Sequence, residues 1–184
     1  MGKKAHVLSN TELLRETEDF LQLTQDKKEI LQKLETIILP QAEILEKAFY
    51  DKIRSMPTTA EFLEGSTVES RHVVSTWVKD LLKANYDEAY FMKRCQIGVT
   101  HVRIGLPIRY PIMMMEVIRN FFSKAIQENF QDQEALVAQS LINQLLSLDL
   151  AIFSHAYEET LFDRLDQSAG ISRELFYSLI KSVS

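Results

Sequence analysis

The stretch His101-Val102-Arg103-Ile104-Gly105-Leu106-Pro107 puts a candidate metal ligand just ahead of a helix-ending glycine and proline. A neutral imidazole is a good metal ligand when it projects from a rigid element towards an apolar slot. The residues upstream supply that element. A helix predicted from about Asp87 carries Phe91, Met92, Cys95, Ile97 and His101, and Gly105 with Pro107 ends it. Ile97, His101 and Ile104 stand at i, i+4 and i+7, so two β-branched apolar side chains flank the histidine on one face. Spacing alone leaves a second reading open, a core histidine hydrogen-bonded to a carbonyl.

Working outward, the 184 residues suit one compact domain, and no Gly, Pro or Ser-rich linker divides the interior. With 5 Gly, 4 Pro and 46% apolar residues there are too few turn signals for a sheet protein, and the expectation is all-α, built of long helices. A formal charge of −5 argues against a nucleic-acid partner, which needs a basic surface. The single cysteine, Cys95, forms no internal disulfide, and Met1-Gly2-Lys3-Lys4-Ala5-His6 lacks the apolar stretch of a signal peptide. His6 also stands where an N-myristoylation motif wants Ser or Thr. No uninterrupted apolar run approaches membrane-spanning length, so the expectation is a soluble, cytoplasmic protein with no membrane partner.

Ser9-Asn10-Thr11-Glu12 opens a first amphipathic segment, and a second runs from about Asp26 to Ile38. Pro40 fits the first turn of a third helix that reaches about Arg54. A break at Met56-Pro57-Thr58-Thr59 precedes a short element, Ala60 to Leu63, closed by Gly65. Ser66 or Thr67 then caps a helix with Val68, Val74, Trp77, Val78, Leu81 and Leu82. Two long helices follow the histidine. One spans roughly Pro111 to Asn129; the other runs from about Asp132 to at least Leu161, roughly 45 Å. The first of the pair is apolar over more than one stripe (Ile112, Met113, Met114, Met115, Val117, Ile118, Phe121, Phe122), which suits a four-helix interface with a second copy. The alternative is a helix buried all round. Gly170 to Ser184 reads as a linker helix or docking tail. The expected division is a domain at residues 9–165 and a tail at 166–184.

The histidine run, preceded by Phe49-Tyr50, Phe62-Leu63 and Ser66-Thr67-Val68-Glu69, resembles the haem domain of the globin-coupled sensors over about Glu12 to Glu159. The resemblance implies a globin fold with an extra N-terminal helix and no distinct D helix, dimerised through its last two helices. It implies haem b, an iron protoporphyrin, with His101 as the proximal iron ligand and Tyr50 as the distal donor to bound dioxygen. Phe62 would pack on the porphyrin at the helix corner, and Phe49 belongs to the same distal motif. Ile97, Val102, Ile104 and Tyr110 would line the proximal side and Val74 the distal side. Periodicity says otherwise of Tyr50. The apolar stripe of its helix is Ala42, Ile44, Leu45, Ala48, Phe49 and Ile53, and Tyr50 falls near Glu43, Glu46, Lys47 and Arg54 on the surface.

His72 is an alternative distal iron ligand, as in some relatives whose haem is six-coordinate. On the helical wheel it points away from Val74, Trp77, Val78 and Leu81, alongside Thr76, Lys79 and Lys83. His155, near Leu150, Phe153 and Ala156, reads as a core or interface histidine, and Cys95 as a buried structural thiol. No phosphate loop, zinc motif or nucleophile motif is present, and the carboxylates show no paired spacing suited to hydrolysis.

The expectation is therefore a sensor of dioxygen or another diatomic gas that turns over no substrate. It would signal through a homodimer to an output domain or partner protein. Outputs in the family include diguanylate cyclases, chemotaxis transducers and histidine kinases, and none is encoded within these residues. The alternatives are a non-haem globin-like interaction module and a haem enzyme acting on oxygen or nitric oxide.

Overall fold

Thr24 ends an extended stretch by accepting the Lys27 N–H on its hydroxyl, and the first complete helix, α1 (Gln25–Ile38), follows. Its Ile30, Leu31, Leu34 and Ile38 repeat at helical spacing and are buried. Their burial is worth about 1.5–3 kcal/mol per side chain. The computed structural model describes residues 15–16, 19–64, 72–83 and 85–182, and every regular element among these is helical. The expected N-terminal segment at Ser9-Asn10-Thr11-Glu12 lies outside the described residues, as does the Ser66 or Thr67 cap with Gly65, Val68 and Glu69.

Pro40 sits in a 3-10 turn, Leu39–Gln41, and not in the first turn of the next helix as expected; α2 (Ala42–Arg54) starts one residue later. The expected break at Pro57 is itself a helical turn, α3 (Pro57–Ala60), with proline at the first position, where its missing N–H costs nothing. Thr59 donates its hydroxyl to the Ile53 carbonyl at 2.7 Å and ties that turn to α2. A 3-10 turn at Glu61–Leu63 follows. The helix α4 (Val73–Leu82) buries Val74, Trp77, Val78, Leu81 and Leu82, as its periodicity predicts. Asp87 then caps α5 (Glu88–Arg103), accepting the Tyr90 N–H at 3.0 Å. Gly105, at φ +73°, closes α5 by donating to the Val102 carbonyl, and Leu106 donates to that of His101.

The long pair is α6 (Arg109–Asn129) and α7 (Asp132–Ala169), the latter 38 residues without Gly or Pro and ended by Gly170 at φ +65°. A last helix, α8 (Arg173–Ser182), folds back on the end of α7. Phe176 stands edge-on to Phe162, and the Arg173 guanidinium lies 4.5 Å above the Phe162 ring while pairing with Glu159. In the interior, α5 packs along α7, α6 lies against α7, and α2 is sandwiched between α4 and α6. By length and composition α7 contains an 18-residue stretch apolar enough to cross a membrane, contrary to the sequence reading. Half of that stretch is buried inside the fold. Here the apolar residues serve the core, since Leu141, Ile142, Leu145 and Leu146 are almost fully covered by α1, α5 and α6.

One polar cluster joins three helices at the centre. Arg94 of α5 meets Asp149 of α7 at 2.7 Å, with their side chains 3% and 1% exposed. The same guanidinium donates to the Trp77 carbonyl of α4 at 3.1 Å and lies 4.2 Å over the Tyr90 ring. Tyr90 donates its hydroxyl to Asp149, and the Trp77 side chain also bonds that carboxylate. Burial pushes the Asp149 carboxyl up to about 6, against the pull of Arg94, Tyr90 and Trp77. The pair therefore remains ionised near neutral pH. Replacing Asp149 by Ala strands a buried guanidinium, and urea denaturation should show a loss of about 3–5 kcal/mol. Replacing Arg94 and Asp149 together by Met and Leu should recover most of it.

Candidate ligand site at His101

The geometry around His101 begins with its own helix. Four residues earlier the Ile97 carbonyl has its side-chain partner in the His101 ring, with Nδ1 2.7 Å from the oxygen. A carbonyl only accepts, so Nδ1 carries the proton and Nε2 is left with its lone pair. Among the described residues Nε2 has no hydrogen-bond partner. Burial lowers the histidine below its ordinary pKa, opposed by the Ile97 carbonyl, so the ring is neutral near pH 7. The ring stands edge-on to Phe153 of α7, centroids 5.3 Å apart at 87°. A fixed tautomer, a neutral ring and an apolar neighbour are what an iron-binding imidazole requires. The residues present therefore fit a haem iron at Nε2.

The helices α4 and α5 form a hairpin. It is pinned at its loop end, where Lys93 pairs with Asp80 at 2.9 Å and Arg94 reaches the Trp77 carbonyl. Beyond that pin the two helices do not pack on each other; α4 turns to α2, and α5 to α7. His101 lies two turns past Arg94 on α5, and Val74 lies one turn before Trp77 on α4. Two clefts among the described residues, around Phe20 with Lys27, Leu136 and Gln144 and around Phe20 with Phe91 and Ile152, hold neither His101 nor Tyr50.

The predicted residues fall into two groups. Tyr50 and Val74 belong to the main core, with Phe49 and Ile97 packed against it. Phe49 meets Tyr50 edge-on at 5.6 Å. Val102 is buried at the His101 end of α5, while Phe62 is half-buried in its 3-10 turn. Tyr110, half-buried at the start of α6, accepts from Arg109 at 3.1 Å. Ile104, at the C-cap of α5, is 49% exposed, so of the two apolar flanks read from the sequence only Ile97 packs inward. His155 is half-buried on α7, and burial pushes the Cys95 thiol up to about 11, which suits a structural role.

Tyr50 corrects the periodicity reading. It is 5% exposed, whereas Ile44 is 63% exposed and Ala48 lies on the surface. The buried face of α2 is Ala42, Leu45, Glu46 and Tyr50. The wheel misjudged this face because it contains a carboxylate. Glu46 is buried with Oε2 accepting the Ser75 hydroxyl of α4, while Oε1 has no hydrogen-bond partner among the described residues. His72 Nδ1 stands 3.5 Å from Oε2. His72 is not on the wheel of α4 at all. It is the N-cap, left-handed at φ +49°, with its side chain 65% exposed. Neither Phe153 nor the Glu46–Ser75 contact was read from the sequence. The available signals were Glu46 and Tyr50 at i, i+4, and an aspartate within the apolar run Leu145 to Phe153.

The register of α2 has a direct check. Leu45→Ala should cost about 2–5 kcal/mol in urea denaturation, while Ile44→Ala, one position away, should stay within about 0.5 kcal/mol of the parent.

Against known proteins, the protoglobin family model matches residues 10–162. The fold is similar to the globin domain of a Geobacter sulfurreducens globin-coupled sensor, with TM-score 0.71 and 30% identity over 78% of this chain and 96% of that one. It is also similar to the globin domain of E. coli DosC. The ferric form gives TM-score 0.62 and 21% identity over 81% of this chain and 97% of that one. The ferrous form gives TM-score 0.61 and 22% identity over 80% and 97%. No curated protein sequence matches. The all-helical fold, a histidine locked at the end of α5 and the match over most of the chain place this protein in the protoglobin family, with the globin fold.

Proposed function

We propose that this chain is a haem-based gas-sensing globin domain. The observation that carries the reading is the His101 ring, held by the Ile97 carbonyl in the tautomer that offers Nε2 to iron. Family membership and the likeness to a globin-coupled sensor support it. Haem b bound at His101 would supply the ferrous iron that takes up dioxygen, carbon monoxide or nitric oxide.

The protein's own residues do the rest. His101 would hold the iron from α5, with Ile97 and Val102 next to it on the same helix. Phe153 and Val102 keep water from the imidazole. Tyr50, on the buried face of α2 and edge-on to Phe49, would be the donor to a gas bound at that iron, with Val74 on the distal side. Phe62 and Tyr110 border the pocket on the outer side. His72 is turned to Glu46 and exposed, and we leave it out of the resting ligand set. The domain turns over no substrate and works in the cytoplasm.

Signalling runs through a homodimer of α6 and α7. On α6, Ile112 and Met113 are 44% and 55% exposed, and on α7 Leu136 is 66% exposed, while Met114, Ile118 and Phe122 of α6 are buried in the domain. This two-sided apolar character supports an interface between copies. An output module or partner protein would read its geometry.

The reduced protein without added gas should show a five-coordinate haem spectrum, and His101→Ala should abolish that ligation. A protein that takes up no haem overturns the reading, and a six-coordinate spectrum lost in His72→Ala assigns His72 as second ligand. Tyr50→Phe should raise the dioxygen dissociation rate roughly tenfold, the worth of one hydrogen bond, and leave carbon monoxide release nearly unchanged in stopped-flow measurements.

A further inference from the structure

The helix that carries His101 lies on α7 closer than a side chain permits. A Cβ at Gly98 would stand 2.7 Å from the Phe153 carbonyl oxygen, 3.0 Å from the Ala156 Cβ and 3.1 Å from the Tyr157 nitrogen. At this crossing backbone rests on backbone. A displacement of α5 passes to α7 here without a flexible side chain to absorb it. One turn further along α5, the His101 ring meets the edge of Phe153.

The contact continues on both sides of the crossing. Tyr157 donates its hydroxyl to the Leu106 carbonyl at 3.0 Å, and Arg164 reaches the Val102 carbonyl at 3.4 Å. Both oxygens belong to the end of the histidine's helix and the turn that follows. In the other direction, Asp149 bonds Arg94 and Tyr90 of α5 together with Trp77 of α4. Both helices of the α4–α5 hairpin are thus tied to one short stretch of α7.

We infer that residues 149–157 of α7 are the element that reads the position of His101, with Phe153 as the positioning residue that contacts the ring and Asp149 as the node joining α4 and α5. This inference rests on the haem reading above and names how that site is coupled to the signalling helix. Phe153 sets the resting orientation of the imidazole, and a shift of His101 towards or away from the iron displaces Phe153 and the backbone opposite Gly98. The remainder of α7 follows.

The test uses the full chain. Without haem, Phe153→Leu should move the nuclear magnetic resonance signals of the His101 ring, because the aromatic edge is removed; unmoved signals overturn the contact. With haem, hydrogen exchange of the reduced protein is measured with and without carbon monoxide. The parent should show a gas-dependent change at residues 149–169, and Phe153→Leu should lose that change when compared at gas concentrations that saturate its own haem, as read from its absorption spectrum. Phe162→Leu, on the same helix beneath α8, should retain it. A change that persists in Phe153→Leu overturns this inference and leaves the gas-sensing reading intact. Failure of the parent to take up haem overturns both.

Discussion

A pair of opposite charges removed from water at the meeting point of three helices governs this molecule. Arg94 and Asp149 are tolerable in the interior only with each other and with Tyr90 and Trp77 completing their hydrogen bonds. Such a cluster contributes little net stability over a well-packed apolar core, but it punishes misalignment. If α4, α5 or α7 slides by a fraction of a turn, a charged atom loses its partner in a low-dielectric setting. The angle at which α5 leaves the cluster is thereby set, and with it the place where His101 emerges two turns later. The glycine crossing at Gly98 lies between the two and fixes the depth of the same approach.

The chemistry of His101 follows from that placement. Burial keeps the ring neutral, and the Ile97 carbonyl decides which nitrogen bears the proton, so the imidazole is committed to one task before any ligand arrives. On the facing side α2 is less simply built. It buries Glu46 on the same face as Tyr50, and the carboxylate is held by Ser75 across the α2–α4 contact. Polar groups at this depth hold α2 in a register that apolar packing of Ile44 and Ala48 would have rotated.

Much of this could be read in the residues. The apolar spacing of α1, α4 and α6, the Asp87 cap, the Gly105 stop and the two long terminal helices all lie where periodicity and cap chemistry place them. The place of His101 at the end of a helix was legible because Gly105 and Pro107 mark that end. The burial of Tyr50 was not legible from the wheel, since hydropathy counts Glu46 as a surface residue and has no means of knowing that Ser75 awaits it. The cap position of His72 was hidden for another reason, because α4 starts at Val73, six residues after Thr67, the nearer of the two cap signals. Long-range partnerships such as Arg94 with Asp149, or His101 with Phe153, depend on which helices cross, and no one-dimensional pattern records a crossing. Gly98 was the one local hint of such a crossing, a glycine inside an otherwise good helix.

The length of α7 has a mechanical meaning. A helix of 38 residues with no glycine or proline inside has no built-in joint, so it answers a push at one point by moving as a rod. Ala169 lies 16 residues beyond Phe153, about 24 Å along the axis at the α-helical rise. A tilt of about 5° at Phe153 would carry that end through about 2 Å, by the same rise. Because α8 is latched to Phe162 and Glu159, it would ride on the moving end. A movement too small to disturb the packing around His101 would thus arrive enlarged at the C-terminal end of α7.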